Sequence, residues 1–143
     1  MIVGAFTVIF DRDRQVLLCH RRDFDVWNLP GGGVEDNEAP WDAAVREARE
    51  EVGVGIEIVR LTGLYWKPES SDLVFNFEGR IIDGVPTTSD EADQVGYFPT
   101  DALPPNTAPL QVERVRDALQ AKVVFRAQTG PGVRDLFGST AHE

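Results

Sequence analysis

The chain has 143 residues, of which 24 are Asp or Glu and 14 are Lys or Arg, giving a formal charge of −10 with histidines neutral. That length suits one domain, and a 42% hydrophobic share supplies one core without disulfide or metal staples and excludes wholesale disorder. The acidic balance excludes sequence-independent nucleic-acid binding, which needs clustered Lys and Arg to displace counterions; a small anion can still bind through metal ions.

Cys19 is the only cysteine, so neither an intramolecular disulfide nor a Cys-rich zinc module can form, and a reducing, cytoplasmic setting is expected. The apolar stretch Ile2 to Phe10 is too short to span a bilayer and gives way at once to Asp11-Arg12-Asp13-Arg14. It lacks a basic leader, so neither a membrane partner nor a signal peptide is expected.

Ile2 to Phe10 is rich in β-branched and aromatic residues, and Gln15 to His20 resumes the run after the Asp11–Arg14 turn, which predicts a β-hairpin. Arg21 to Trp27 reads as a loop entering Leu29-Pro30-Gly31-Gly32-Gly33. Pro40 suits a first helical turn, with Asn37 or Glu38 near the cap, so a helix is predicted from about Ala39 to Val52 and ended by Gly53. Extended segments follow at Val54–Gly63, Leu64–Lys67 and Leu73–Ile82, then a turn at Asp83-Gly84, an acidic stretch from Thr87 to Gln94 and a short strand at Val95–Phe98. Leu110, Val112, Val115, Leu119 and Val123 predict a terminal helix. The expected domain covers residues 1–122. Residues 123–143 form an extension whose Val123-Val124-Phe125 and Leu136-Phe137 suit an arm docked on the flank or joining a homodimer.

On a helical wheel Trp41, Ala44, Ala48 and Val52 share one arc with Val45 beside them, the face expected to pack on a sheet. Glu47, Glu50 and Glu51 stand at i, i+3 and i+4 on the other face, where three like charges repel. A solvated face tempered by Arg46 and Arg49 is one explanation; a hard divalent cation is the other.

The spacing from Gly32 through Glu38 to Arg46-Glu47-Ala48-Arg49-Glu50-Glu51-Val52-Gly53-Val54 resembles the Nudix box of the Nudix (MutT-type) hydrolases, G-x5-E-x7-R-E-U-x-E-E-x-G-U. Gly32, Glu38, Arg46, Glu47, Glu50, Glu51 and Gly53 occupy its fixed places, and Ala48 is smaller than the usual aliphatic residue. The approach Trp27-Asn28-Leu29-Pro30-Gly31-Gly32-Gly33 is also similar to the family's.

The resemblance implies an α/β fold, an α/β/α sandwich with a mixed β-sheet, and Mg²⁺-dependent cleavage (Mn²⁺ a possible substitute) of a nucleoside diphosphate linked to a further group. A small nucleotide is the implied substrate; a nucleoside triphosphate is favoured, with ADP-ribose or a nucleotide sugar as the alternative and a non-catalytic nucleotide sensor as the reading of another class. It maps metal ligands onto Glu47, Glu50 and Glu51 with a backbone carbonyl of Gly31 or Gly32. A further acid is expected before the Tyr97-Phe98 pair, with Glu91 preferred over Asp90 and Asp93. Glu47 and Glu50 are the candidate catalytic carboxylates, and Glu47 stands as either metal ligand or general base. Arg46 and Glu38 serve either to brace loop and helix or to act directly, Arg46 in catalysis and Glu38 on substrate. Arg21 and Arg22 are candidate phosphate contacts, since a guanidinium binds phosphate oxygens in pairs. His20 reads as a strand-end residue. Phe6, Phe10 and Phe75 are expected in the core, and Trp27, Tyr65, Trp66 and Phe77 are candidates to stack on a base. The stretch from Lys67 to Asp72 is expected near the pocket mouth.

Overall fold

A computed structural model describes residues 1–132, and Leu136 and Phe137 of the expected arm lie outside the described residues. A five-stranded mixed sheet is ordered β4-β1-β6-β5-β8, built from β1 (Ile2–Ile9), β4 (Gly31–Gly33), β5 (Gly55–Lys67), β6 (Asp72–Asp83) and β8 (Val124–Ala127). A three-stranded antiparallel sheet is ordered β3-β2-β7, from β2 (Val16–Arg21), β3 (Trp27–Asn28) and β7 (Ala92–Phe98). The helices are α1 (Pro40–Val52) and α2 (Pro109–Ala118).

Alternation along the first two strands shows why helices lie on both faces. Ala5 and Ile9 of β1 and Leu17 and Cys19 of β2 join the clusters containing α1 residues Ala43, Ala44, Ala48 and Val52. Their neighbours in sequence, Val8, Val16 and Leu18, join Val115 and Ala118 of α2. Strands buried on both faces need apolar residues at nearly every position, which is what these two carry.

That same two-sided burial corrects the predicted hairpin. β1 pairs in parallel with β6 and antiparallel with β4, whereas β2 pairs with β3 and β7; among the described residues an isolated bridge from Phe10, just past β1, to Val16 is the pairing that joins them. The turn between them holds as expected: Arg14 adopts φ 60°, and the Asp11 carboxylate accepts from the N–H groups of Asp13 and Gln15.

The central helix starts at Pro40 with Ala39 at its cap and no capping side chain, so neither Asn37 nor Glu38 fills that role. Gly53 ends it with φ 71°, the left-handed conformation that costs glycine least. Trp41 is exposed, and Ala43 takes its expected place in the core, because the packed face is rotated toward Ala43, Glu47 and Glu51. The terminal helix stops at Ala118, leaving Leu119 and Val123 partly exposed beyond it. Val124–Ala127 then adds to β5 in parallel register as the sheet's edge. Among the described residues no helix is long and apolar enough to cross a membrane.

Candidate active site

The rotation of α1 decides the geometry of the acidic face. Glu47 and Glu51 are turned inward and 9% exposed, while Glu50 stays outside. Glu91, immediately before β7, closes the group: one carboxylate oxygen each from Glu47, Glu51 and Glu91 lie within 4.8 Å of one another. Of the competing acids, Asp93 is instead bonded to His20, and Asp90 is exposed outside the group.

Glu47 raises the proton affinity of the two carboxylates it faces, Glu51 and Glu91. Burial and then the neighbouring Glu47 push Glu51 well above the ordinary carboxylate range, despite the N–H of Gly31 donating to its Oε1 at 3.2 Å. Burial, Glu47 and Glu50 also raise Glu91. The buried Cys19 thiol donates to Glu51 Oε2 at 3.5 Å, and burial and Glu51 hold that thiol well above its usual pKa. Among the described residues Arg46 hydrogen-bonds only Glu47 of the three, which sets one cation against three carboxylates. An all-oxygen, multiply anionic donor set fits a hard divalent ion such as Mg²⁺ or Mn²⁺.

Glycine brings the loop against these acids. A Cβ on Gly32 would lie 2.7 Å from Glu47 Oε1, so any side chain there would displace that carboxylate. Arg46 fixes the same loop to the helix: its Nε and Nη2 donate to the two Glu38 oxygens at 2.9 and 3.0 Å, Nη2 also to Gly33 O, and Nη1 to Glu47 and Glu50 at 3.1 and 3.2 Å. Glu38 is thus occupied by Arg46 and the Glu35 N–H, and Arg46 by four partners. Its hydrogen bonds to Arg46 hold the Glu38 carboxyl below the ordinary range.

Gly32 and Gly33 also border a cavity of about 510 Å³ extending between β1, the β5–β6 turn and α2. Lys67, Glu69, Ser70 and Asp72 stand on its wall, where the sequence put the pocket mouth. Arg21 and Arg22 do not border it: Arg21 forks onto Asp23, and Arg22 Nε donates to Ser89 O at 2.9 Å, tying the end of β2 to the loop that carries Glu91.

The stacking candidates divide. Tyr65 is fully buried with its hydroxyl donating to Asp117 at 2.9 Å, and Phe77 sits in the core with Ala5 and Ala44. Trp27 packs edge-on against His20 and Phe98. Trp66 is 40% exposed beside Phe125 on the far flank. None of the four borders the cavity, whereas Phe6, assigned to the core, does. Sequence reasoning also missed Arg114 and Gln128. A signal existed in Gln111, Arg114 and Asp117, polar residues at helical spacing on the buried face of α2.

A family-wide description of the NUDIX domain matches residues 2–119. The chain belongs to the Nudix family. A MutT-like protein of Streptomyces ambofaciens is 32% identical over 136 residues, covering 95% of this chain and 84% of that protein. A Bacillus subtilis protein provisionally named an 8-oxo-dGTP diphosphatase is 38% identical over 81 residues, but this match covers 57% of the present Nudix chain and only 54% of the relative. The crystal structure of an ADP-ribose pyrophosphatase from Streptococcus suis superimposes with a TM-score of 0.73 at 23% identity, covering 89% and 98% of the two chains, which establishes the shared Nudix fold.

Proposed function

We propose that this Nudix protein hydrolyses the phosphoanhydride bond of a nucleoside triphosphate, releasing a nucleoside monophosphate and pyrophosphate. The observation that carries the reading is the meeting of Glu47, Glu51 and Glu91 at a glycine loop that also borders a nucleotide-sized cavity. Relatives named as an 8-oxo-dGTP diphosphatase and a MutT-like protein support the same chemistry.

In this reading Glu47, Glu51 and Glu91, with a backbone carbonyl of Gly31 or Gly32, would hold Mg²⁺, which would supply neutralisation of the phosphate oxygens and activation of water. Glu50, 48% exposed at its side chain and anchored by Arg46, takes the proton from the attacking water. Arg46 and Glu38 position that carboxylate and the glycine loop, and neither touches substrate. Arg22 acts on the Glu91 loop and not on phosphate. The single free cysteine, Cys19, suits a cytoplasmic setting.

The test is a panel of nucleoside triphosphates, ADP-ribose and nucleotide sugars incubated with Mg²⁺ or Mn²⁺, with nucleotide and phosphate products separated. Monophosphate and pyrophosphate in equal amounts are expected from a triphosphate. Faster turnover of ADP-ribose to AMP and ribose phosphate would move the substrate to the alternative class, and no turnover of any member would overturn the hydrolase reading.

A further inference from the structure

Arg114 is an arginine at the inner wall of the cavity with only 3% of its surface exposed. Its Nε donates to Gln128 Oε1 at 3.1 Å, and its guanidinium carbon lies 5.4 Å from the Phe6 ring centre and 5.3 Å from that of Tyr65. Among the described residues no carboxylate forms an ion pair with it, and its two terminal nitrogens have no hydrogen-bond partner. Those nitrogens are not sealed from the cavity either, for they are absent from the fully enclosed, unpartnered polar atoms, which are Thr7 Oγ1, Asn28 Oδ1, Asp72 Oδ1 and Asn76 Oδ1.

The side chain is held in this pose. Gln128 donates from Nε2 to Leu110 O at 2.8 Å and to Glu113 Oε1 at 3.0 Å, which orients its Oε1 toward Arg114, and its backbone N–H donates to Trp66 O. Burial lowers the Arg114 pKa to about 10, so the guanidinium remains charged at neutral pH. A buried cation with unmatched donors is costly unless a ligand completes it. Phe6 and Tyr65 lie against the guanidinium and Gln128 occupies Nε, which leaves the two terminal nitrogens to meet a ligand.

Gly32 borders the cavity and lies against Glu47, so in the reading above this is where phosphate enters, and Arg114 lines the wall that α2 contributes. We propose that Arg114 is the specificity-determining residue, its terminal N–H groups donating to two adjacent acceptors on the nucleotide base. Guanine presents such a pair at O6 and N7, and cytosine at O2 and N3. Adenine and uracil place a donor beside each acceptor on the corresponding edges, so a guanidinium fork meets an N–H there. Guanine oxidised at C8 gains an N–H at N7 and loses the pair. The inference rests on the cavity being the nucleotide site of the reading above.

The experiment measures kcat and KM for GTP, CTP, ATP and UTP with the wild-type chain and Arg114→Met, and in parallel the binding of GMP, CMP, AMP and UMP to metal-free protein by calorimetry. The guanine or the cytosine nucleotide is expected to be favoured by about 10- to 100-fold, and Arg114→Met to bring all four within about threefold of one another by raising KM for the favoured base. The source is separated by 7-deazaguanine and 3-deazacytosine nucleotides: whichever base is read loses about tenfold when its ring acceptor becomes C–H. These analogues act on the wild-type protein, so the outcome stands even where Arg114→Met fails to fold. Preference for adenine or uracil, or indifference to both deaza analogues, overturns the proposal. Base-selective binding without turnover would overturn the hydrolase reading and keep this one; turnover without base selectivity would do the reverse.

Discussion

Two adjacent glutamates on one helix turn, Glu50 and Glu51, are expected to fail in different ways. Glu51 is buried within the acidic group, whereas Glu50 is exposed and hydrogen-bonded to Arg46. Glu51→Gln should lose both Mn²⁺ binding, followed by paramagnetic relaxation, and turnover; Glu50→Gln should retain the ion and lose about 10²–10⁴-fold in kcat. Full turnover by Glu51→Gln at saturating Mg²⁺ would remove Glu51 from the ligand set. The same residue sets a pH dependence of stability. In the metal-free fold burial and the neighbouring Glu47 push Glu51 up to about 9, from an ordinary 4.5, so between those values the folded state keeps a proton that the unfolded chain has released. Stability from this group is therefore complete below about pH 4.5 and falls as pH rises toward 9. His20 adds to the fall from the other side of β2. Burial lowers its pKa, but hydrogen bonds with Asp25 and Asp93 at 2.8 and 2.7 Å outweigh this, and a histidine raised from 6.5 loses its stabilising effect as pH rises. Thermal melts in chelator at pH 5 and pH 8 should show a smaller decline for Glu51→Gln than for wild type. Parallel declines in the two proteins would contradict the assignment.

At the scale of elements, the join between β4 and α1 depends on one guanidinium fork. Arg46→Lys keeps the charge but cannot reach both Glu38 oxygens, Gly33 O, Glu47 and Glu50 at once. Because the clamp is partly exposed, the expected stability loss is only about 1 kcal/mol. The kcat loss should exceed tenfold, as even a small displacement of a positioned group is costly. A variant equal to wild type in kcat would show that the fork only supports the fold. The box helix, its glycine stop and most strand positions were legible because each has a local cause: period 3.6, a left-handed cap, or alternating apolar residues. Pairing was not, since the pattern of β1 suits β2 as well as β6 and nothing local reports a partner some seventy residues away in sequence. The acidic trio was only half legible. Spacing placed Glu47, Glu50 and Glu51 on one face, but the small Ala43, Ala44 and Ala48 let that face roll inward, taking Glu47 and Glu51 and leaving Glu50 behind. Arg114 stayed hidden behind the apolar period of Leu110, Val112 and Val115, although α2 buries Gln111, Arg114 and Asp117.

For the molecule as a whole, β8 links the sheet edge to the interior: Arg126 donates to the buried Asp117, and Gln128 to the segment around Arg114. Truncation after Lys122 leaves Asp117 buried without its cation, so a lowered Tm and weaker nucleotide binding are expected together. An unchanged Tm would mean that residues 123–143 are an appendage. Phe125, 76% exposed, and Trp66, 40% exposed, form an apolar patch at that edge, and we propose it as the contact of a homodimer. Light scattering should report a dimer for the full chain and a monomer for Phe125→Asp; a monomeric full chain ends the idea. The position of β1 carries a consequence for synthesis. It leaves the ribosome before its parallel neighbour, whose pairing runs to Gly79 at the Ile9 end, so the nascent strand Ile2–Ile9 must wait with one edge open until residues 72–79 have emerged. A slow codon cluster or a stalled ribosome before residue 79 would hold that apolar strand unpaired, making yield of native protein sensitive to translation speed over this interval.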